Sequence, residues 1–318
     1  MKKQSCIVRR LSTTEQSLSL KGPKAVAKIV FLSTDNLEGF FVYDTLLIPF
    51  FEQAGWQVAT LSWHNKDINW SDYDYVIVRS TWDYQQYPSE FTACLESIDK
   101  SKAKLLNPLT LIKWNIEKSY LLDLEDRGVS TVPTFWQSHF SVDTLVQQFD
   151  VFATDTLIVK PILSANADDT YKVSRDNITQ FIPTLSRCFA ERKHMIQPFL
   201  PSIVEEGEYS LFYFAGAFSH SIRKVPKSGD FRVQEEHGGA LHLIEPDQTM
   251  LDAALRALDA MPEQALYARV DLVRCKGEWA LMELELIEPS LYFNLSPSSP
   301  QKFVDAFLAM HQQDALNP

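Results

Sequence analysis

Between Lys224 and Glu285 the chain sets a cationic, glycine-punctuated loop ahead of two runs that carry carboxylates. The loop reads Lys224-Val-Pro-Lys-Ser-Gly-Asp-Phe-Arg232-Val-Gln234 and is followed by Gly238-Gly239. Then come Arg-Val-Asp271-Leu-Val and Leu-Met-Glu283-Leu-Glu285. A polyphosphate needs both halves of that pairing. Lysine and arginine neutralise phosphate oxygens, and carboxylates hold the Mg²⁺ that bridges them. If the pieces converge, the chain handles ATP.

Glu283 and Glu285 are two apart, so on a strand both side chains leave one face. A strict two-residue turn at Lys276-Gly277 would set Asp271 opposite Met282, on the wrong face. One extra residue, as in a bulge at Gly277, sets it opposite Glu283. Three acids so close repel unless a cation sits among them. Acids alternating with apolar residues on an edge strand also describe a plain solvated face. Against that, Leu272, Val273, Leu281, Met282, Leu284, Leu286 and Ile287 imply burial on both sides, where unpaired charge is costly.

Further cations could serve the same chemistry. Lys160 ends an apolar strand before Pro161, and Lys118 opens a predicted helix, where a cation opposes the dipole unless an anion lies near. Each alone also reads as a surface lysine; with Lys224 and Arg232 they make a set suited to a triphosphate. Ile196-Gln197-Pro198-Phe199-Leu200 reads as a strand entering a hinge. Its backbone groups could meet an adenine edge, with Phe199 and Leu200 against the ring; a buried strand end is the plainer reading.

The elements that must position these residues follow from hydrophobic period. Strands are predicted over 24–34, 56–63 and 73–79, with helices over 44–54 and 88–101, before the break at Asn107-Pro108. That alternation implies a parallel, doubly wound sheet of about four strands. Ligands of such sheets sit at the carboxyl ends of strands, which makes Ser80-Thr81-Trp82-Asp83-Tyr84 a candidate substrate loop or an aromatic domain contact, with specificity also expected in segments 36–43 and 290–294. Beyond the break, helices are predicted over 117–127, 142–149, 176–191, 247–260 and 301–312. Strands are predicted over 132–136, 157–161 and 194–200. A hairpin over 208–225 turns at Ala215-Gly216.

Composition limits the class. The chain has 318 residues, 45% hydrophobic and 22% charged, as in an ordinary globular protein. No apolar run approaches the roughly 20 residues of a membrane span. Residues 1–24 carry six cations and Glu15, a balance of +5 that leaves −16 of the total −11 on the rest. So acidic a body argues against nucleic-acid and membrane-surface partners. Residues 1–23 lack a signal-peptide core and read as a disordered basic tail. Cys6, Cys94, Cys188 and Cys275 are scattered, which fits a reducing cytoplasm and not a zinc cluster.

Taken in order, these pieces resemble the ATP-grasp superfamily, nearest its ribosomal-protein-modifying glutamate ligase and glutathione-synthetase-like branch, over roughly residues 105–295. Gly229-Asp-Phe-Arg232, Gly238-Gly239, Val270-Asp271 and Glu283-x-Glu285 carry the likeness. So do Ser-Thr-Trp-Asp-Tyr, Asn-Pro-x-x-x-x-x-Trp-Asn-x-x-Lys118, Phe-Ser-His-Ser and Glu-Leu-Ile-Glu-Pro-Ser-Leu, which look like a narrower group that includes the cyclo-ligase closing O-ureido-serine in cycloserine biosynthesis. The resemblance implies an α/β fold of the α+β ATP-grasp kind: a substrate domain over 24–107, then two α+β subdomains over 108–198 and 199–318 enclosing a nucleotide cleft. It implies ATP at Lys118, Lys160, Gln197, Pro198, Phe199, Leu200, Glu208, Arg232 and Gln234. Mg²⁺ (two ions, or Mn²⁺) would sit at Asp271, Glu283 and Glu285, with Lys224 and Arg232 at the reacting centre. Ser80, Thr81, Trp82, Asp83 and Asn294 would face the substrate, and a homodimer is allowed.

The implied activity is ATP-dependent ligation of a carboxylate to an amine or related nucleophile. Intramolecular cyclisation and a nucleotide-binding protein without turnover are the alternatives. Two departures stand out. The third metal position is usually Asn and here is Glu285. The loop Ser164-Ala-Asn-Ala-Asp-Asp-Thr170 has no glycine, and Asp168 and Asp169 would repel phosphate, which favours the non-catalytic alternative.

Overall fold

A computed structural model describes residues 26–316; the predicted basic tail lies outside the described residues. Strands β1 (Ala27–Ser33), β2 (Trp56–Ser62), β3 (Tyr75–Ser80) and β4 (Lys104–Leu106) form one parallel sheet in the order β2-β1-β3-β4. Val30, Leu32, Val76 and Val78 point to one face, against Phe91, Leu95 and Ile98 of helix α2 (Pro88–Asp99). Ile29, Phe31, Tyr75 and Ile77 point to the other, against Phe51 of α1 (Ile48–Gln53) and Phe303 and Phe307 of the final helix. Both faces are covered, which is why these strands read as continuous apolar runs. The doubly wound sheet and its strand count follow the sequence reading. The first predicted helix starts instead as a 3-10 turn at Asp44–Leu47, where buried Asp44 accepts from Arg79 and Ser80.

Past Asn107 come α3 (Leu109–Asn115), which the sequence did not announce, and α4 (Tyr120–Asp126). Lys118 lies between them and does not open a helix. Next are β5 (Phe135–Gln137), α5 (Val142–Val151), β6 (Thr156–Pro161), β7 (Tyr171–Ser174), α6 (Ile178–Cys188) and β8 (His194–Pro198). Their antiparallel sheet has the order β5-β8-β6-β7.

After the single turn α7 (Ser202–Glu205) come β9 (Glu208–Phe214), β10 (Ala217–Val225), β11 (Ala240–Ile244), α8 (Gln248–Asp259), β12 (Tyr267–Cys275), β13 (Glu278–Glu285) and α9 (Ser299–Leu316). The five strands form a sheet in the order β11-β10-β9-β12-β13. One face packs its apolar residues on Met250, Ala253, Ala254 and Ala257 of α8. The other changes character along each strand. Tyr267, Phe212, Phe214 and Ile222 join the core beneath the parallel sheet. Two or four residues farther on stand Arg269, Asp271, Ser210, Glu208 and Lys224, all buried or half-buried and polar. The apolar stretch anchors this sheet, and the polar stretch is left to line a cleft.

His220 marks the apolar end. Its ring stacks on Phe212 with centroids 4.2 Å apart; Nε2–H donates to the Leu291 carbonyl and Nδ1 accepts from Ser219. Burial, with Lys302 nearby, pulls its pKa down from 6.5 to about 4. The folded state therefore favours the neutral ring, so its contribution is complete above pH 6.5 and is lost as pH falls toward 4. That contribution is about 3 kcal/mol. Replacing His220 with Gln is expected to flatten the fall in stability between pH 6.5 and 4, measured by urea unfolding at several pH values. An unchanged slope would contradict the assignment.

Candidate active site

The hairpin of β12 and β13 turns through Lys276 (φ 53°) and Gly277 (φ 86°), the left-handed pair of a tight two-residue loop. Register runs Cys275 to Glu278, Val273 to Ala280 and Leu272 to Leu281, then slips by one so that Asp271 faces Glu283 and Arg269 faces Glu285. The bulge lies at Met282, not at Gly277 as the sequence suggested, because the turn already closes regularly. The slip is written in the packing. Trp279 and Leu281 meet α8, and beyond Met282 that duty passes to Leu284 and Leu286. Asp271, Glu283 and Glu285 therefore share the cleft face.

Strand β13 is an edge, and residues of α3 and α4 close it. Asn115 donates to the Leu284 carbonyl at 2.8 Å and accepts from the Leu286 amide at 3.1 Å, while the Leu284 amide donates to the Tyr120 hydroxyl at 2.8 Å. Asn107, fully buried, donates to Tyr267 and Leu286 and accepts from Leu266. These bonds fix the backbone that carries the acids.

The acids are held by cations. Arg269 bonds Asp271 at 2.9 Å and also Glu285; Lys224 lies 3.4 Å from Asp271 and 2.5 Å from Glu208; Lys118 lies 2.9 Å from Glu283. Lys160 sits beside Met282, its Nζ 3.7 Å from the sulfur. Burial would raise the Asp271 carboxyl, but Arg269 and then Lys224 overcome it and hold the group at about 2. Against the same burial, Lys118 and Lys160 bring Glu283 below its ordinary range. Glu285 goes the other way. Burial, with Glu283 and Asp271 adding repulsion, lifts it to about 7 although Arg269 is in contact. One guanidinium cannot compensate two carboxylates. Burial also lowers Lys160 to about 8, Glu283 only partly restoring it.

The donor set suits Mg²⁺. It is carboxylate oxygen throughout, and the excess negative charge that raises Glu285 is what a divalent ion would relieve. Among the described residues no three such side chains already converge on one point. Arg269 and Lys118 take up the carboxylate oxygens instead, so ion binding would release these cations toward phosphate.

The cleft above this face has a volume of about 400 Å³. Lys118, Lys160, Gln197, Pro198, Phe199, Leu200, Glu208, Lys224, Arg232, Gln234 and the three acids all line it, as the sequence reading required. Details differ. Arg232 reaches the cleft, but Asp230 grips its guanidinium at 2.8 and 3.2 Å. The Phe199 amide donates to the Thr156 carbonyl, which removes it from any adenine contact, and Gln197 spends its side-chain amide on Thr134. Gln234 Oε1 is buried without a partner. Gly239 is demanded by the loop's fold, since a Cβ there would lie 2.1 Å from the Val233 carbonyl oxygen.

Loop 164–170 adopts its turns without glycine. Asn166, Ala167 and Asp169 take positive φ, Arg192 holds Asp169 at 2.5 Å, and His237 donates to the Asn166 carbonyl. Of the candidate substrate residues Trp82 and Tyr84 line the cleft, with Phe40 of segment 36–43 and Ser290 and Tyr292 of segment 290–294. Ser80 donates to buried Asp44, and Thr81 is fully buried. Asp83 is held by Thr34, Trp63 and His64, and Asn294 is exposed away from the site. Ser80, Thr81 and Asp83 stay out of the cleft lining because the carboxyl end of β3 folds back into the parallel sheet's own contacts. Arg269 and Glu288 were missed, whereas Tyr292 lies in the segment 290–294 expected to set specificity. Arg269 was legible, standing two residues before Asp271 on the same strand face.

A family described as "D-cycloserine synthetase DcsG, N-terminal domain" matches residues 29–107. The cycloserine biosynthesis protein DcsG of Streptomyces lavendulae is 28% identical over 292 residues, 87% of this chain and 97% of that protein. A crystal structure of D-cycloserine synthetase DcsG superposes with a TM-score of 0.79 at 24% identity, covering 88% of this chain and 98% of that one. The ATP-grasp ligase PsnB, solved with its minimal precursor, Mg and ADP, gives 0.60 at 13% identity, covering 88% and 97%. These likenesses bear out the fold and the resemblance drawn from the sequence.

Substitution of Arg269 by Ala leaves Asp271 and Glu285 buried without their shared cation. The expected cost is about 3–5 kcal/mol, with part of the lost melting temperature recovered by millimolar Mg²⁺. Arg232→Ala, at a more exposed pair, should leave the melting temperature nearly unchanged. Equal melting temperatures for the two variants would contradict this charge arrangement.

Proposed function

We propose that this chain, an ATP-grasp protein by fold, is an ATP- and Mg²⁺-dependent ligase that activates a carboxylate as an acyl phosphate for attack by an amine. One observation carries the reading: Asp271, Glu283 and Glu285 share a sheet face with Lys224 and Arg269, and Lys118 and Lys160 line the same cleft from neighbouring elements. A substrate carboxylate oxygen attacks the γ-phosphorus of ATP, and ADP leaves. The amine nitrogen then adds to the acyl carbon, the C–O bond to phosphate breaks, and the amine proton passes to solvent. Bound Mg²⁺, at one or two sites among the three acids and replaceable by Mn²⁺, supplies neutralisation of the phosphate oxygens. The protein's own cations do the rest by position. Lys118 and Lys160 reach phosphate from the β6 side, and Arg269 and Lys224 from the β12 side, where charge develops on the transferring group. No side-chain nucleophile is required.

The three sheets support a division into a substrate domain (24–107), a small nucleotide-covering domain (108–198) and a metal-bearing domain (199–318). Among the described residues Cys94, Cys188 and Cys275 are free thiols, in keeping with a cytoplasmic reaction, and no helix is long and apolar enough to cross a membrane. Cyclisation is the second reading, favoured by the similarity to DcsG along 97% of that protein. It uses the same activation, with the nucleophile on the same molecule.

The test is ADP release against a panel of D- and L-amino acids and short acidic peptides, with products weighed by mass spectrometry. Ligation gives the sum of two substrates less water, and cyclisation one substrate less water. Glu283→Gln should lower turnover by about 10³-fold. Failure to bind Mg·AMPPNP, or ADP release untouched by that substitution, would refute the reading.

A further inference from the structure

Each buried acid on the sheet face has a cation in contact, yet among the described residues the half-buried carboxylate just beyond them has none. Glu288, three residues past Glu285, is half-buried and lines the cleft beside Trp82 and Gln85. Among the described residues its carboxylate meets no side-chain donor; the N–H that faces it is its own amide. Lys118 is near but bonded to Glu283 and to the Ser164 carbonyl. Burial, and after it Glu285, lifts the Glu288 carboxyl to about 8, the mark of an acceptor that lacks a positive partner.

Its position is not loose. The Trp82 indole N–H donates to the Glu288 carbonyl at 2.9 Å, Arg79 to the Pro289 carbonyl at 2.8 Å, and Tyr267 to the Ile287 carbonyl at 2.9 Å. Trp82 also orients Gln85, whose Nε2 donates to the Trp82 carbonyl at 2.9 Å. That bond fixes the amide so that Oε1 is the other end, and among the described residues this buried oxygen has no partner. Among the described residues three cleft-lining residues thus carry acceptors without a side-chain donor; Gln234 stands on the loop after β10, while Gln85 of the parallel-sheet unit and Glu288 of the loop after β13 are joined through a single tryptophan.

We propose that Glu288 and Gln85 are specificity-determining residues that receive the ammonium or amine group of the acceptor, so that the substrate is a small amine-bearing, amino-acid-like molecule rather than its hydroxy or N-acyl counterpart. The assignment rests on the ligase reading. An ammonium brings three N–H donors and one positive charge, the combination these two oxygens lack. A hydroxyl or acylated nitrogen brings at most one donor and no charge, and leaves an acceptor stranded. Phe40, tilted against Trp82 with centroids 5.1 Å apart, lines the same corner of the cleft.

The test uses the full chain and separates nucleotide from acceptor. Mg·AMPPNP affinity is measured by calorimetry. ADP release is measured with D-serine, D-alanine and β-alanine against D-glycerate, D-lactate and 3-hydroxypropionate. The wild type should favour the amines by about tenfold or more in kcat/KM. Glu288→Gln should raise KM for the best amine at least about tenfold, with kcat for that amine and the Mg·AMPPNP Kd within about twofold of wild type. Gln85→Leu should do the same more weakly. An unchanged amine KM in Glu288→Gln, no amine preference in the wild type, or a Kd for Mg·AMPPNP that moves with the amine KM would overturn the proposal; the last would make Glu288 a further metal-facing acid. No binding of Mg·AMPPNP by the wild type would overturn the ligase reading and this assignment with it.

Discussion

Four carboxylates and four cations meet in one cleft, six of them on a single face of an antiparallel sheet and Lys118 and Lys160 brought from neighbouring elements, and the rest of the cleft is arranged around their balance. Glu208, Asp271, Glu283 and Glu285 would be prohibitively costly to bury alone, as would Lys118, Lys160, Lys224 and Arg269. Interleaved, they hold one another in place. The match is incomplete where Arg269 serves two acids, and Glu285 shows the deficit. A magnesium–triphosphate pair adds both signs at once, so it can enter such a lattice by exchange of partners, without either charge ever standing bare. That makes the site receptive to the complex more than to either ion separately.

The lattice depends on backbone precision that its own residues do not provide. One-residue slippage of a strand turns every side chain to the opposite face. Here a slip at Met282 is built in and then locked. Asn115 and Tyr120 satisfy the outer edge of β13, Asn107 ties β12 to the segment after β13, and Arg79, Trp82 and Tyr267 hold the loop beyond. Most of these bonds come from outside the hairpin. The carboxylates therefore read as the property of several elements, though all three lie within 15 residues of sequence.

Much of this was legible in the chain. The parallel sheet announced itself through runs buried on both faces, and the hairpin over 208–225 through Ala215-Gly216. Counting residues around the turn showed that Asp271 would face Glu283 only if one extra residue entered the pairing, and the register slip supplies it. What escaped had physical reasons. The bulge was misplaced because Gly277 looks permissive, whereas the slip is recorded in which leucines meet α8, a fact of packing. Strands β7 and β11 are short edges with weak alternation. Ser80, Thr81 and Asp83 sit at a strand's carboxyl end, where ligands often lie, but hydrogen bonds hold Ser80 and Asp83 within the parallel-sheet unit and Thr81 is fully buried. Glu288 drew no notice because an unpaired carboxylate is visible only when all its neighbours are known to be occupied.

Lys118 occupies an unusual station. It falls between Asn115 and Tyr120, both fastened to β13, yet its amide donates to the Ile162 carbonyl at 2.8 Å, just past the end of β6. It is thus bolted to the carboxylate hairpin on one side and to the smaller sheet on the other. Lys160 rides on β6 itself. Should the smaller sheet swing over a nucleotide, Lys118 would act as the axle and keep its distance to Glu283, while Lys160 swept through an arc. The two lysines, alike in chemistry, would then report different things: one the presence of phosphate, the other the closure of the jaw.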